Sequence, residues 1–400
     1  MTAAEAAERL GVSRATLYAY VSRGHIRSQA APGPSRARGY AREDVDRLRQ
    51  RTEGRRDPDK AAAGALRWGI PVLESAITLI DGRTLYYRGK DAAALARTAS
   101  IDEVAALIWG TPDARGSRTD PPRIHRPPIH GSTDHGSRIH AAGFIGRAQE
   151  VLTRTAAADP TAFDVSPARV ATAGRRILDA IVTAATGAEP DRETIDVALA
   201  RAWHIDRRGT AVIRAALILC ADHELNVSSF TARCVASAGS NPYAVVIGAL
   251  AALQGPRHGG ASARVEAMLE SMRRARDLRG AIAARLQRGE TVDGFGHPLY
   301  PDGDPRAVAL HDLLRASYPR SGELAFVRRI AQAAEEAGCG RPNVDFALAA
   351  SSRVLQLPAA APLMLFAIGR AIGWIGHAIE QYATGQLIRP RARYTGIQPA

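Results

Sequence analysis

Cysteine is scarce in this 400-residue chain. Cys220, Cys234 and Cys339 are the only three, too few for a disulfide framework and without a pair at metal-ligand spacing. They read as small buried hydrophobes of a reducing compartment. Lysine is scarcer still, present only at Lys60 and Lys90, so arginine carries nearly all the basic charge. No apolar run approaches the ~18–20 residues that cross a bilayer; Ala244–Leu253 and Pro358–Gly369 read instead as buried helices. The first residues carry acids at Glu5 and Glu8 and no basic-then-apolar leader, so no secretory signal is expected and a cytoplasmic location is.

What is there is a globular composition, 46% hydrophobic and 23% charged, long enough for two or three domains with a large core. The formal charge of +13 points toward polyanions: nucleic acid, phosphorylated cofactors or polycarboxylates. Abundant arginine beside abundant alanine also suggests a genome-wide codon bias, which weakens any functional reading of the total. Arginine remains the better residue for fork-like recognition of carboxylate and phosphate.

Residues 1–50 are self-contained. Thr2 is placed to cap a helix, AAEAAERL, with Ala3, Ala6, Ala7 and Leu10 on one face. Gly11 ends it, and Ser13 caps a second helix, RATLYAYVSRG, in which Leu17 and Val21 face inward while Arg14, Thr16, Tyr18 and Tyr20 face outward. Two short helices joined by Gly11-Val12-Ser13 make a helix-turn-helix, whose second helix can enter a major groove. A Pro/Gly/Arg-rich loop suited to a wing follows, then a final helix from about Glu43. Through LGVSRATLYAYVSRGHI and RGYAREDVDRL the stretch resembles the winged modules of the MerR and excisionase families. In a DNA-binding reading Arg14, Thr16, Tyr18 and Tyr20 meet DNA from the recognition helix, and Arg36 and Arg38 grip phosphates from the wing. A protein-docking role for the same helices stays open.

Residues 51–65 are charged, carry Pro58, and suit a linker. From Leu66 onward, long alanine- and leucine-rich stretches predict an all-helical body, interrupted by a β-hairpin about Asp81-Gly82. Between Thr111 and His140, histidines 125, 130, 135 and 140 recur every five residues. That interval is wrong for one helical face, no Cys or acid cluster supports a metal, and the segment reads as a low-complexity loop.

The chemistry lies between Cys220 and Arg389. Asp222-His223-Glu224 follows an apolar helix. GPRHGGAS sets His258 among glycines, where backbone can approach a ligand closely. GFGHPLYPDGDPRA places His297 after a glycine turn and Arg306 nine residues on. RPNVDFALAA sets a lone acid, Asp345, into an apolar helix start. Each residue alone is ordinarily a satisfied core histidine or a cap. Two histidines in glycine turns plus one half-buried carboxylate together suggest proton abstraction next to a carbonyl, with histidine as hydrogen-bond donor to the enolate oxygen and Asp as base.

The order DHE, GPxHGG, GFGHPLYPDGDPRA, NVDF and LIRPRARYTG, preceded by IPVLESAITLIDGRTLYYRGKD, resembles the citrate synthase family over about Leu66 to Gly396. The resemblance implies a mainly α fold, with a winged helix-turn-helix (1–50) before an all-α body of large domain (66–258 and 356–400) and small domain (259–355), in a homodimer. It implies an acyltransferase that condenses acetyl-CoA or propionyl-CoA with oxaloacetate, without a cofactor or metal. Asp345 then takes the α-proton, His258 donates to the thioester oxygen, and His297 polarises the ketone. His223 contacts oxaloacetate, whose carboxylates are bound by Arg306, Arg370 and Arg389, the last reaching into the neighbouring subunit's site. The bidentate fork is the expected means.

Three departures matter. Cys220 stands where many members have histidine. Ser262 replaces the asparagine of HGGAN, which implies a shortened or lost hydrogen bond beside His258. Pro301 stands where some members contact a coenzyme A phosphate with a basic residue, a role open to Arg257 or Arg264. A reading of a different class also stays open: a transcription regulator whose body senses oxaloacetate, citrate or acyl-CoA.

Overall fold

Thr2 opens the chain with a capping box. Its hydroxyl accepts the N–H of Glu5 at 3.3 Å, and the Glu5 carboxylate accepts the N–H of Thr2 at 2.8 Å, so helix α1 (Ala3–Leu10) starts where the sequence places it. Gly11, left-handed at φ 62°, ends it. Ser13 caps α2 (Arg14–Ser22) through the N–H of Thr16. Strands β1 (Ser28–Ala30) and β2 (Arg38–Tyr40) pair antiparallel with Ser28 opposite Tyr40, forming the ladder of the expected wing. Ala6, Ala7, Leu17, Ile26, Tyr40 and Val45 make a small core of their own.

Tyr20 departs from expectation. It packs against that core instead of facing out, because it lies three residues after Leu17 and so shares its helical face. Arg14, Tyr18 and Arg38 are exposed, while the Thr16 hydroxyl is drawn into the cap, 2.9 Å from Ser13 Oγ.

The computed structural model describes residues 1–30, 38–42, 44, 45, 48, 73–111, 141–191 and 193–397, in two compact units, Met1–Glu74 and Ser75–Ala400. Arg36, the start of the third helix at Glu43, the linker 51–65 and the histidine-bearing segment up to His140 lie outside the described residues.

The second unit begins with a small antiparallel sheet, β3 (Thr78–Asp81), β4 (Thr84–Tyr87) and β5 (Lys90–Asp91). Asp81 pairs with Thr84, so the loop is Gly82-Arg83, one residue later than expected, with Gly82 at φ 58°. A positive φ at the first loop residue suits the twist of a two-residue hairpin. Helices α3 (Ala92–Thr98), α4 (Ile101–Trp109), α5 (Ala141–Ala157), α6 (Pro167–Thr186), α7 (Ile195–Ala202) and α8 (Arg207–Leu219) follow. Next come α9 (Val227–Ser237), α10 (Pro242–Leu253), α11 (Gly260–Met272), α12 (Leu278–Gln287), α13 (Pro305–Ser317), α14 (Gly322–Glu336), α15 (Val344–Leu355) and α16 (Ala361–Thr384).

The last of these is the axis of the unit, packing on α4, α5, α6, α8, α9, α10, α11 and α15. It is longer than the sequence reading allowed and is apolar enough over 24 residues to match a membrane span by length, yet it is buried in the protein. Small residues let it approach so many neighbours. A Cβ at Gly369 would meet the carbonyl oxygen of Leu217 at 2.5 Å, and one at Gly373 would strike the carbonyl of Ala221 and the carboxylate of Asp222. Helix α16 therefore lies directly against the end of α8, where the site begins.

Candidate active site

Helix α8 runs out at Cys220, and the chain turns through Asp222, His223 and Glu224. Tyr87 of β4 holds this turn. Its fully buried hydroxyl lies 3.0 Å from the carbonyl of Ile218 and 3.2 Å from that of Leu219, and it accepts the N–H of Asp222, which satisfies carbonyls that the helix end leaves open. Asp222 is fully buried between Thr78 Oγ1 at 2.6 Å and His377 Nε2 at 3.1 Å. Burial works against its charge, but His377 beside it keeps its pKa below the ordinary carboxylate value. Glu224 sits at φ 52°, a left-handed conformation uncommon for a residue with a side chain.

His223 is buried with its Nε2 3.0 Å from the Tyr300 hydroxyl. Burial, followed by Arg306 and Arg370, pushes its pKa well below the usual histidine value, since a desolvated ring beside two guanidiniums resists a further positive charge. Its ring stands edge-on to that of His297 at 5.1 Å, and the Tyr300 ring completes the triangle 5.0 Å from His297.

The His297 loop is built from glycine for a geometric reason. Gly294 and Gly296 adopt φ 89° and 70°, and the loop zips onto the segment before Asp345. Gly296 donates its N–H to the carbonyl of Arg341 at 2.8 Å, and Asn343 donates to that of Gly294 at 2.9 Å. The N–H of Leu299 donates to His297 Nδ1 at 3.2 Å, so the neutral ring carries its proton on Nε2. Burial and then Arg306 lower the His297 pKa to about 4.

Seven residues later Asp304 caps α13 and grips Arg306 in a fork, 2.9 Å from Nε to Oδ1 and 2.8 Å from Nη2 to Oδ2. Oδ2 also accepts the N–H of Val344 at 3.0 Å, which pins the start of α15 to the start of α13. Both side chains are buried. Burial disfavours the Arg306 charge, but Asp304 more than compensates and raises its pKa.

His258 lies in the turn after α10. The N–H of Gly259 donates to the carbonyl of Leu253, and a Cβ there would strike that oxygen and Leu363, so only glycine fits. His258 Nε2 is 2.9 Å from Ser228 Oγ, which accepts the indole N–H of Trp374 at 3.1 Å and lies 2.7 Å from Asn226 Oδ1. Burial, then Arg370, lowers the His258 pKa to about 4.

Asp345 occupies the first turn of α15, where Asn343 Oδ1 accepts its backbone N–H. Its carboxylate is half-buried by exposed area, yet crowded enough that desolvation raises its pKa, against the opposing hydrogen bond from Ser262. That bond, Ser262 Oγ to Asp345 Oδ1 at 2.7 Å, corrects the expectation for position 262: the side chain serves the carboxylate and not His258. Arg370 is buried in α16, donates from Nε to the carbonyl of Cys220 at 2.8 Å, and lies 4.8 Å over the Phe366 ring. Its Nη2 is buried without a hydrogen-bond partner among the described residues. Burial lowers its pKa.

The structure thus gathers His223, His297, Arg306 and Tyr300 into one cluster, and ties His258 and Arg370 to α16. Arg389 is not brought to them; it lies exposed in the extended stretch after α16. Arg264 is occupied by Asp293 at 2.8 Å and by the carbonyl of Pro256, so it is not a spare cation. Sequence reasoning missed Ser228, Tyr87 and Asp304, whose partners are far away in the chain or indistinguishable from ordinary caps. Tyr300 stood inside the quoted GHPLYPDGDP and could have been singled out. The arrangement offers three imidazoles kept neutral, two buried guanidiniums for anionic groups, and a carboxylate with a raised pKa that can act as a base.

Comparison with known proteins shows the family. Residues 140–391 match the family described as citrate synthase, C-terminal domain, and residues 1–52 match the helix-turn-helix domain family. The chain is 32% identical over 358 residues to the citrate synthase of Haloferax volcanii, covering 82% of this chain and 94% of that one. It is 39% identical over 205 residues to the putative citrate synthase 2 of Mycobacterium tuberculosis, covering 48% of this chain and 53% of the relative; the aligned part spans about half the length of that relative. The crystal structure of citrate synthase from Thermotoga maritima superposes with a TM-score of 0.63 at 26% identity, over 83% of this chain and 95% of that one. With the family match spanning well over half its length, the chain belongs to the citrate synthase family.

Proposed function

We propose that the protein is a citrate synthase-type acyltransferase that condenses acetyl-CoA or propionyl-CoA with oxaloacetate. The observation that carries this reading is the pairing of buried Arg306 and Arg370 with His223 and His297. Burial, seconded by Arg306, keeps both imidazoles uncharged and so available as hydrogen-bond donors to a ketone, while the guanidiniums suit the carboxylates of a dianionic acceptor.

In this reading an Asp345 carboxylate oxygen takes a proton from the carbon next to the thioester carbonyl, the C–H pair becomes the C=C bond, and the C=O π pair moves onto the thioester oxygen to give the enol form. His258 donates to the enol oxygen. Its donor is Nδ1–H once the Ser228 hydroxyl, which donates to Asn226 Oδ1 at 2.7 Å, turns its proton to His258 Nε2, leaving Asn226 Oδ1 its two backbone N–H donors. The enol carbon attacks the ketone carbon of oxaloacetate, and the oxygen that becomes hydroxyl is met by His297 Nε2–H. Hydrolysis of the resulting thioester releases CoA and citrate, or 2-methylcitrate. A dry site matters because a thioester α-proton is far less acidic than a carboxyl group. The chemistry needs no cofactor beyond the acyl-CoA substrate. Which acyl group enters is a matter of one methyl, worth about 1–3 kcal/mol in an apolar pocket.

The same reading carries a small domain, 259–355, closing on the large one, a homodimer in which Arg389 completes the neighbouring site, and a cytoplasmic location consistent with three free cysteines. We also propose that the N-terminal unit binds DNA, with Arg14, Tyr18 and Arg38 as the exposed contacts.

The decisive experiment is continuous thiol release with oxaloacetate and either acetyl-CoA or propionyl-CoA. Turnover lost in His258→Ala supports the enzyme and ranks its acyl substrates. No turnover, with oxaloacetate binding still measurable by calorimetry, refutes the enzyme and favours a metabolite-sensing regulator.

A further inference from the structure

Position 262 is where this chain departs from the HGGAN pattern, and its side chain is engaged. Ser262 is 2% exposed, lies in the first turn of α11, and makes the sole side-chain hydrogen bond on the Asp345 carboxylate among the described residues. Helix α11 rises directly from the turn that holds His258: Gly260 donates its N–H to the carbonyl of Gly255, and Ala261 to that of His258. One 2.7 Å contact therefore joins the His258 turn to the start of α15.

We propose that Ser262 is a positioning residue for the condensation, fixing Oδ1 of Asp345 so that Oδ2 takes the proton, and holding the base in register with His258. The inference rests on the reading of Asp345 as the base. A carboxylate without such a bond can turn about its terminal torsion and offer either oxygen, whereas a charge-assisted O–H···O⁻ contact selects one. Base and donor must act on the same thioester, so their mutual spacing governs the rate. The bond also favours the ionised form, opposing the upward push of burial.

The test measures thiol release against pH in the full-length protein for Ser262→Ala, Ser262→Thr and Asp345→Asn. For Ser262→Ala we expect kcat lowered roughly 10-fold, the cost of about one hydrogen bond. The acid limb should move to higher pH, KM for oxaloacetate should stay unchanged, and Ser262→Thr should restore the wild-type profile. Should the alanine variant not fold, Ser262→Cys, nearly isosteric and a weak donor, should show the same displaced limb. A wild-type kcat and acid limb in Ser262→Ala or Ser262→Cys, with Asp345→Asn inactive, overturns the role of Ser262 and leaves the base in place. Wild-type turnover in Asp345→Asn overturns the base itself.

Discussion

Asn343 donates its backbone N–H to the carbonyl of Gly294 at 2.9 Å, and through that bond the loop carrying His297 and the turn carrying Asp345 move as one piece. The side chain of Asn343 tightens the same joint by donating from Nδ2 to the carbonyl of Gly296 at 3.2 Å. His297 and Asp345, the proposed polariser and base, are thereby mounted on a common rigid edge, and the separation of their backbones is fixed by these bonds.

Burial raises the pKa of Asp345, and only the ionised form accepts a proton. The rate should therefore fall as pH drops through that raised pKa, while His258 and His297, each near about 4, stay neutral across neutral pH. Asp345→Asn should cost at least ~100-fold in kcat. A carboxylate whose folded pKa exceeds its unfolded one is penalised on ionising, a penalty present above the folded pKa and absent below the unfolded one. The same variant should then hold or raise Tm at pH 7; a clear fall in Tm speaks against a strained buried carboxylate.

Arg306 has a structural duty besides the binding role proposed for it. Removing it leaves Asp304 buried without its counter-charge, so Arg306→Ala should destabilise the fold by about 3–5 kcal/mol in denaturant titration, besides weakening oxaloacetate binding. Arg370→Ala deletes a group with no buried acid forked to it and should mainly raise KM for oxaloacetate. Equal destabilisation by the two changes contradicts this division.

Gly373→Ala places a Cβ against the Ala221 carbonyl and Asp222. We expect a loss of about 1–3 kcal/mol from overpacking, with a higher KM for oxaloacetate because the turn bearing His223 is displaced. An unchanged KM in a folded variant counts against coupling of that helix contact to the site.

Arg389 is exposed, so Arg389→Ala should leave Tm unchanged while weakening oxaloacetate binding if it serves a neighbouring subunit. Mixing it with Asp345→Asn chains should restore part of the activity, since one site of each hybrid dimer is then intact. Absence of complementation places the arginine's action within its own chain or nowhere.

In the N-terminal unit, Ser13→Ala should cost ~1 kcal/mol through the lost cap. Arg14→Ala should weaken DNA binding and flatten its salt dependence, measured by fluorescence anisotropy with duplex DNA. A slope independent of Arg14 removes it from the phosphate contacts.

Local chemistry was readable from the chain: the caps at Thr2 and Ser13, the hairpin near Gly82, and the glycine turns that present His258 and His297. These depend on neighbours within a few residues. The pairings that finish the site were not readable, because Ser228 meets His258 across 30 residues and Thr78 meets Asp222 across 144. Tyr20 turns inward for a nearer reason: three residues after Leu17 it shares that helical face, which its polar tip disguises in the sequence. Position 262 stands out in the sequence beside His258, but the helix turn carries its side chain to Asp345, 83 residues away.

Helix α16 has a consequence for how the chain comes to be folded. It supplies the inner wall against which α4, α5, α6, α8, α9 and α10 all close, yet it lies beyond residue 360. During synthesis the earlier helices emerge with their apolar stripes uncovered, and a ribosome delivering about 5–20 residues per second leaves them waiting from about 7 s for α10 to nearly a minute for α4. A chain stalled before α16 keeps the small N-terminal core but lacks the inner wall of the second unit, whose uncovered apolar stripes are then open to non-native contacts.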